Sequence, residues 1–194
     1  MNLPTLSTKR LQLVPADDSH VDALWKIWND PQVRRFLFDD IPVSRERAAE
    51  TVSECSAQHT EGFGLWALQL YGENELIGCA GLLKAATAAE YDPSLVGAVE
   101  VLAALLPAFW GRGYANEALG VAIGYAFESL GLQQLAAVTD VPNQASERMV
   151  RRLGFVQTGE CPGPRYRIRT HRLSQPDFVM SRAARIAVDE PNGS

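Results

Sequence analysis

Apolar positions along the chain recur every second residue in some stretches and every third or fourth in others, and the two kinds interleave. Arg10-Leu11-Gln12-Leu13-Val14 alternates polar with apolar and predicts a first strand ending at Pro15. Asp17 or Asp18 then caps a helix carrying Val21, Leu24, Trp25, Ile27 and Trp28, which Asn29-Asp30-Pro31 breaks. Gln32 to Leu37 makes a short helical turn, and Ser44 caps a helix reaching about His59. Gly64 to Leu70 and Leu76 to Leu83 read as a hairpin joined at residues 71–75. An Ala-rich stretch from Lys84 to Leu95 reads as a surface loop, and Gly97 to Leu106 as a fourth strand covered on both faces. Glu117 to Leu130 is predicted as an amphipathic helix closed by Gly131, followed by a strand from Leu135 to Thr139. Asn143 begins a further helix with Ala145, Met149, Val150 and Leu153 on its inner stripe, stopped by Gly154. Phe155 resumes a strand, Arg165 to Leu173 alternates arginine with other residues, and Asp177 to Arg182 reads as a last strand. Val188 to Ser194 reads as a loose tail.

The stretch Leu105 to Ala118, LLPAFWGRGYANEA, organises this pattern. Pro107 has no N–H and must end the strand. Gly111 and Gly113 flank Arg112 and let the backbone take positive φ, bringing N–H groups to one side of a turn. The helix that Ala115 or Asn116 can open adds unpaired N–H groups and a positive dipole end. Together these make an anion cradle with Arg112 as a full charge. It lacks GxxxxGK[ST] and the third glycine of a dinucleotide turn, since position 116 is Asn. On glycines alone, an ordinary tight connection is the competing reading.

Charge adds a second asymmetry. The chain carries a formal net charge of −5, which argues against a general nucleic-acid binder. Asp39 to Glu100 holds eleven acidic residues against three basic, whereas Arg148 to Arg172 holds seven arginines against one glutamate. Two solvated faces, or an acidic acceptor side and a basic phosphate side, both fit this division. Hydrophobic content is 46% and no apolar run approaches the ~20 residues of a membrane helix, so no membrane association is expected. Met1 to Lys9 has no charged-then-apolar layout, so a cytoplasmic protein is expected. Cys55, Cys79 and Cys161, with His20, His59 and His171, have no metal-ligand spacing, so no metal is expected.

The pattern Trp110, two residues, Gly113, one residue, Ala115 resembles the [QR]-x-x-G-x-[GA] pyrophosphate loop of the GCN5-related N-acetyltransferases (GNAT). The wider wording is similar to the branch that acetylates ribosomal-protein N-termini and small amines, the RimJ/RimL type, with Trp110 in place of Gln or Arg. A second motif, Asn143-Gln144-Ala145-Ser146 followed by Leu153-Gly154-Phe155, resembles that family's N-x-x-[SA] helix start and L-G-F strand entry. The resemblance runs from about Thr8 to about Arg182, so one domain over 8–182 and a tail over 183–194 are expected. It implies an α/β fold: a mixed, mostly antiparallel central sheet with splayed central strands and helices on both faces. Acetyl-CoA would lie in the splay. It would be held by the backbone of Ala104, Leu105 and Leu106, by the loop Trp110, Gly111, Arg112, Gly113, Tyr114, Ala115 and Asn116, and by Asn143 and Ser146. Without any ligand, Asn143 also reads as a helix cap.

Acetyl transfer to an amine needs a neutral nucleophile, yet lysine amines titrate near ~10.4 and α-amines near ~8. Glu100, in an apolar strand, matches a carboxylate the resembling family often carries there and is the candidate base; a structural strand glutamate and a water relay are the other readings. The resemblance also implies a tyrosine as acid for the leaving thiolate, four residues before Gly154, where this chain has Val150. Tyr166, Tyr114 or Ser146 could substitute. The expected activity is acetyl transfer to a primary amine, either a protein N-terminus or a small molecule. The alternatives are a non-catalytic acyl-CoA-binding module and an unrelated α/β domain. Trp25, Trp28, Phe36 and Phe38 fit an acceptor pocket or the core, and a homodimer is common in the resembling branch.

Overall fold

In the computed structural model, which describes residues 2–73, 75–84 and 88–178, a two-residue strand β1 (Leu6–Ser7) precedes the alternating stretch, which is β2 (Leu11–Pro15). Three helices follow: α1 (Val21–Asn29), α2 (Pro31–Leu37) and α3 (Arg45–Ser56). The hairpin is β3 (Gly64–Leu70) and β4 (Leu76–Leu83), within the bounds the apolar runs predict. β5 (Glu100–Leu105), α4 (Tyr114–Glu128), β6 (Gln134–Asp140), α5 (Gln144–Leu153), β7 (Val156–Pro162) and β8 (Arg167–Ser174) complete the order. The strands form one sheet, β1-β2-β3-β4-β5-β6-β8-β7, antiparallel throughout except at β5–β6. A parallel pair needs a crossover, and α4 supplies it.

The period of two divides the core. Trp66 and Leu68 pack with Leu119, Ile123 and Phe127 of α4 and with Val150 and Leu153 of α5. Their neighbours Leu65 and Ala67 face the other way, against Leu24, Ile27, Trp28 and Val52 of α1 and α3. Each buried Leu, Ile, Val or Phe among them contributes about 1.5–3 kcal/mol. The expected mixed, mostly antiparallel sheet with helices on both faces is what the chain adopts.

Some boundaries move, each for a local reason. β5 starts at Glu100 because residues 93–95 form a tight 3-10 turn, and it ends before Leu106 and Pro107. α3 stops at Ser56, and His59–Glu61 form a separate turn closed by Gly62 at φ 87°. Residues 175–178 are helical rather than the start of a last strand; the remainder of that predicted strand, and the tail, lie outside the described residues. On α5, Ala145 is exposed and Glu147 is buried in its place, held by polar partners described below.

The site is made by a failure of pairing. β5 and β6 pair only at Glu100 and Ala136, where the Ala136 N–H donates to the Val99 carbonyl at 2.8 Å. Beyond that point the two strands continue to Leu105 and Asp140 with no further pair, so the sheet opens as a V.

Candidate active site

Backbone parity decides which groups face the V. Leu106 donates its N–H to the Ile77 carbonyl at 2.9 Å, so Ile77 and Leu106 form a hydrogen-bonded pair. Alternation then turns Ala104, opposite Cys79, toward β4 as well. Ala103 and Leu105 present their backbone to the gap, and the Leu105 carbonyl accepts the Trp110 indole N–H at 2.7 Å. Among the three predicted strand residues, Leu105 alone therefore turns its backbone into the V. Ala103, unnamed in the sequence reading, joins it, because parity depends on the β4 register. Gly78, paired with Leu105, lets β4 and β5 approach closely: a Cβ there would meet the Ala104 carbonyl oxygen and lie 2.8 Å from Leu105 Cα.

At the tip of β5 a 3-10 turn, Pro107–Phe109, leads into the glycine turn. Gly111 and Gly113 have φ of 72° and 81°, the left-handed region that their lack of a Cβ permits. Gly113 is the N-cap of α4, so the helix opens at Tyr114 instead of Ala115 or Asn116. Its first backbone bond runs from the Glu117 N–H to the Gly113 carbonyl, 3.0 Å. The Tyr114, Ala115 and Asn116 N–H groups thus have no intrahelical acceptor, and no side chain caps them. By contrast, Asp30, Ser44 and Asn143 cap α2, α3 and α5 with their side chains. Arg112 is exposed, Trp110 is 46% exposed, and Asn116 Oδ1 is buried without a hydrogen-bond partner.

Residues distant in sequence hold this turn. Arg10 donates from Nε to Glu117 Oε2 at 2.7 Å and from Nη1 to the Arg112 carbonyl at 3.0 Å, and its guanidinium lies 4.4 Å from the Tyr114 ring centre. Thr8 and the Arg10 N–H donate to Glu117 Oε1. Partial burial pushes the Glu117 carboxyl up, but the hydrogen bonds from Thr8 and Arg10 outweigh it and hold it below its ordinary range.

Across the V, Asn143 Oδ1 accepts from the Ser146 N–H at 3.1 Å, so its cap role is realised and its amide NH₂ is left for other contacts. Glu147, 5% exposed, accepts from Arg151 Nε (2.6 Å) and Thr139 Oγ1 (3.2 Å), and lies 3.1 Å from His171 Nε2. Burial raises the Glu147 carboxyl, and these partners lower it further than burial raises it. The fully buried His171 is shifted down by burial. This network ties α5 to β6 and β8 beside the gap. Val150 is buried in the core and is no proton donor. Tyr114 packs against Phe109 beneath Arg10, at the glycine-turn end.

Glu100 is 5% exposed and sits at the apex of the V, in the one β5–β6 residue pair among the described residues. Acidic and aromatic groups gather beyond the tip of β6. Asp39 and Asp40 both take positive φ, 54° and 65°, after α2. Arg165 bonds Asp40 at 2.9 Å, and Tyr166 tilts against Phe36 with ring centres 6.0 Å apart. Burial, with Asp39 nearby, pushes the Asp140 carboxyl up to about 6, against a lowering by Arg165. Of the predicted pocket aromatics, Trp28 is core, Trp25 donates its indole N–H to the Val43 carbonyl, and Phe38 packs on Trp28. Among the described residues no three His, Cys, Asp or Glu side chains could hold a metal ion, and no helix is long and apolar enough to cross a membrane.

A family model described as an acetyltransferase (GNAT) domain matches residues 10–156. N-acetyltransferase YoaA of Bacillus subtilis is 28% identical over 157 residues, covering 80% of this chain and 85% of that protein. FsC-acetyl coenzyme A-N(2)-transacetylase of Aspergillus fumigatus is 31% identical over 155 residues, 78% of this chain and 65% of that protein. Among solved structures, the Salmonella typhimurium acetyl transferase that modifies the N-terminal serine of ribosomal protein L7/L12 superposes with a TM-score of 0.69 at 20% identity. That superposition covers 86% of this chain and 96% of the other.

Proposed function

Because the chain belongs to the GNAT family of acetyltransferases, we propose that it transfers an acetyl group from acetyl-CoA to a primary amine, on a small molecule or a protein N-terminus. The observation that carries this reading is the uncapped start of α4, opening from two left-handed glycines at the mouth of an unpaired V. Three orphan N–H groups, the helix dipole and Arg112 suit the pyrophosphate of CoA. The gap-facing backbone of Ala103 and Leu105 suits the amide-bearing pantetheine arm. Asn143 and Ser146 line the opposite arm.

The reaction forms an N–C bond and breaks the thioester C–S bond. Glu100 takes a proton from the ammonium or from the attacking amine, directly or through water, and the thiolate leaves with a proton from solvent or from Ser146. Backbone N–H groups at the V stabilise the tetrahedral oxyanion, and alignment within the cleft supplies much of the remaining acceleration. Asp140 at the β6 tip and Asp39 near it favour a cationic acceptor entering past α2.

Calorimetric titration with acetyl-CoA tests this, with 3′-dephosphorylated and desulfo analogues and with Arg112→Ala in parallel. Saturable binding that weakens about 10-fold or more in Arg112→Ala is expected, as for loss of a charge-assisted contact. Absence of binding in the wild type would refute the reading.

A further inference from the structure

We propose that Arg10, held by Glu117 and Thr8, is a positioning residue that sets the glycine turn for the pyrophosphate without itself binding it. This rests on the acetyl-CoA reading above.

The argument is geometric. A trans peptide points its C=O and N–H to opposite sides. The Arg112 carbonyl accepts Arg10 Nη1 at 3.0 Å, so the N–H of the same peptide unit, that of Gly113, is turned away from Arg10. That unit sits between two left-handed glycines, the part of the turn with the widest choice of conformations. Fixing one carbonyl therefore fixes the direction of the donor beside it. Arg10 lies close over the turn: a Cβ on Gly113 would stand 3.6 Å from Arg10 Nη2, ordinary van der Waals contact, so it is the positive φ of 81° that calls for glycine there.

The remaining Arg10 contacts are inward. Nε donates to Glu117 Oε2, Nη2 pairs with the same oxygen, and the guanidinium plane lies over Tyr114, the first residue of α4. Glu117 in turn accepts from Thr8 and from the Arg10 backbone. The clamp thus joins the connection before β2 to the first turn of α4, 107 residues away. A guanidinium whose charge is countered by Glu117 contributes little direct attraction for phosphate. Its work is orientation.

Direct attraction and positioning predict opposite signs in one variant. Glu117→Gln removes the counter-charge, so a phosphate-binding Arg10 would bind acetyl-CoA more tightly. A positioning Arg10 loses its anchor and binds it more weakly. The experiment measures acetyl-CoA affinity by calorimetry, and kcat/KM for acetyl-CoA and for S-acetyl-pantetheine, which lacks the pyrophosphate. Wild type, Arg10→Ala, Arg10→Lys and Glu117→Gln are compared. Expected results are affinities about 10-fold or more weaker in Arg10→Ala and Glu117→Gln, and a similar fall in the ratio of kcat/KM for acetyl-CoA over S-acetyl-pantetheine. Arg10→Lys keeps the charge but not the fork and recovers little. Tighter binding in Glu117→Gln, full recovery in Arg10→Lys, or equal losses with both donors would each overturn the inference. So would unchanged affinity in Arg10→Ala. If the wild type binds no acetyl-CoA, the functional reading fails first and this inference falls with it.

Discussion

Asp140 holds its proton well above the ordinary carboxyl range, and its surroundings explain the direction. It ends β6 half-buried, near Asp39, with Arg165 only partly offsetting that charge. The folded value of about 6 lies above the ordinary aspartate value near 3.8. Between these values the folded chain binds more protons than the unfolded one, so this group makes stability fall as pH rises from about 4 to 6. Asp140→Asn removes that penalty. With solvent screening the gain is about 1 kcal/mol, or about 2–4 °C in Tm. Melting curves are expected to show the variant above wild type at pH 8 and level with it below pH 4. Glu100 is the opposite kind of residue, visible in the sequence as the one carboxylate of the β5 run and now buried at the apex of the V. Replacing it with Gln keeps its size. A general base lost in this way is expected to lower kcat about 10²-fold or more while acetyl-CoA affinity stays within about twofold, as turnover and calorimetry together can check. Arg10 and Asp140 escaped the sequence reading for a shared reason. Their significance lies in contacts with residues far away along the chain, Arg112 and Glu117 for one and Asp39 for the other.

Elements were readable where periodicity was long and punctuation strong. The hairpin and the caps at Ser44 and Asn143 stand where alternation and capping chemistry put them, whereas Asp17 caps the short turn before α1 and not α1 itself. What local pattern could not give was phase. The start of α4 shifts because Gly113 itself serves as N-cap, and α5 buries Glu147, which a hydrophobic stripe excludes until His171 and Thr139 come beside it. Ala103 replaces Ala104 at the gap for the same reason: facing direction is set by pairing with β4. Two substitutions test these elements. Gly78→Ala forces a Cβ into the backbone of the paired strand β5, and rigid backbone cannot yield as a side chain can. A loss of about 2 kcal/mol or more in denaturant unfolding is expected. Asn143→Asp keeps the oxygen that caps α5 but loses the amide donors. Stability within about 0.5 kcal/mol of wild type, with acetyl-CoA binding weakened, is expected if the amide contacts the pantetheine arm. An unchanged affinity would leave Asn143 as a cap alone.

At the scale of the whole molecule, two large cores on opposite faces, with a smaller cluster of Ala88, Leu95, Ala136 and Ile168, hold together a sheet that is interrupted in its middle. The β1–β5 portion and the β6–β8 portion share one paired position, and packing of α4 and α5 on one face carries much of the remaining connection. A ligand that fills the V with backbone contacts on both arms would act as a missing strand. Acetyl-CoA is therefore expected to stabilise the fold and not merely occupy it, by about 2.7 kcal/mol at a hundredfold excess over Kd. The pattern of protection should be specific. Hydrogen exchange at the gap-facing amides of Ala103 and Leu105, and at the uncapped Tyr114, Ala115 and Asn116, should slow on adding acetyl-CoA. The Leu106 amide, already bonded to Ile77, should change little and serves as the control. Uniform slowing of all six would point to global stabilisation without a ligand in the V. No change at Ala103 and Leu105 would place the pantetheine arm elsewhere.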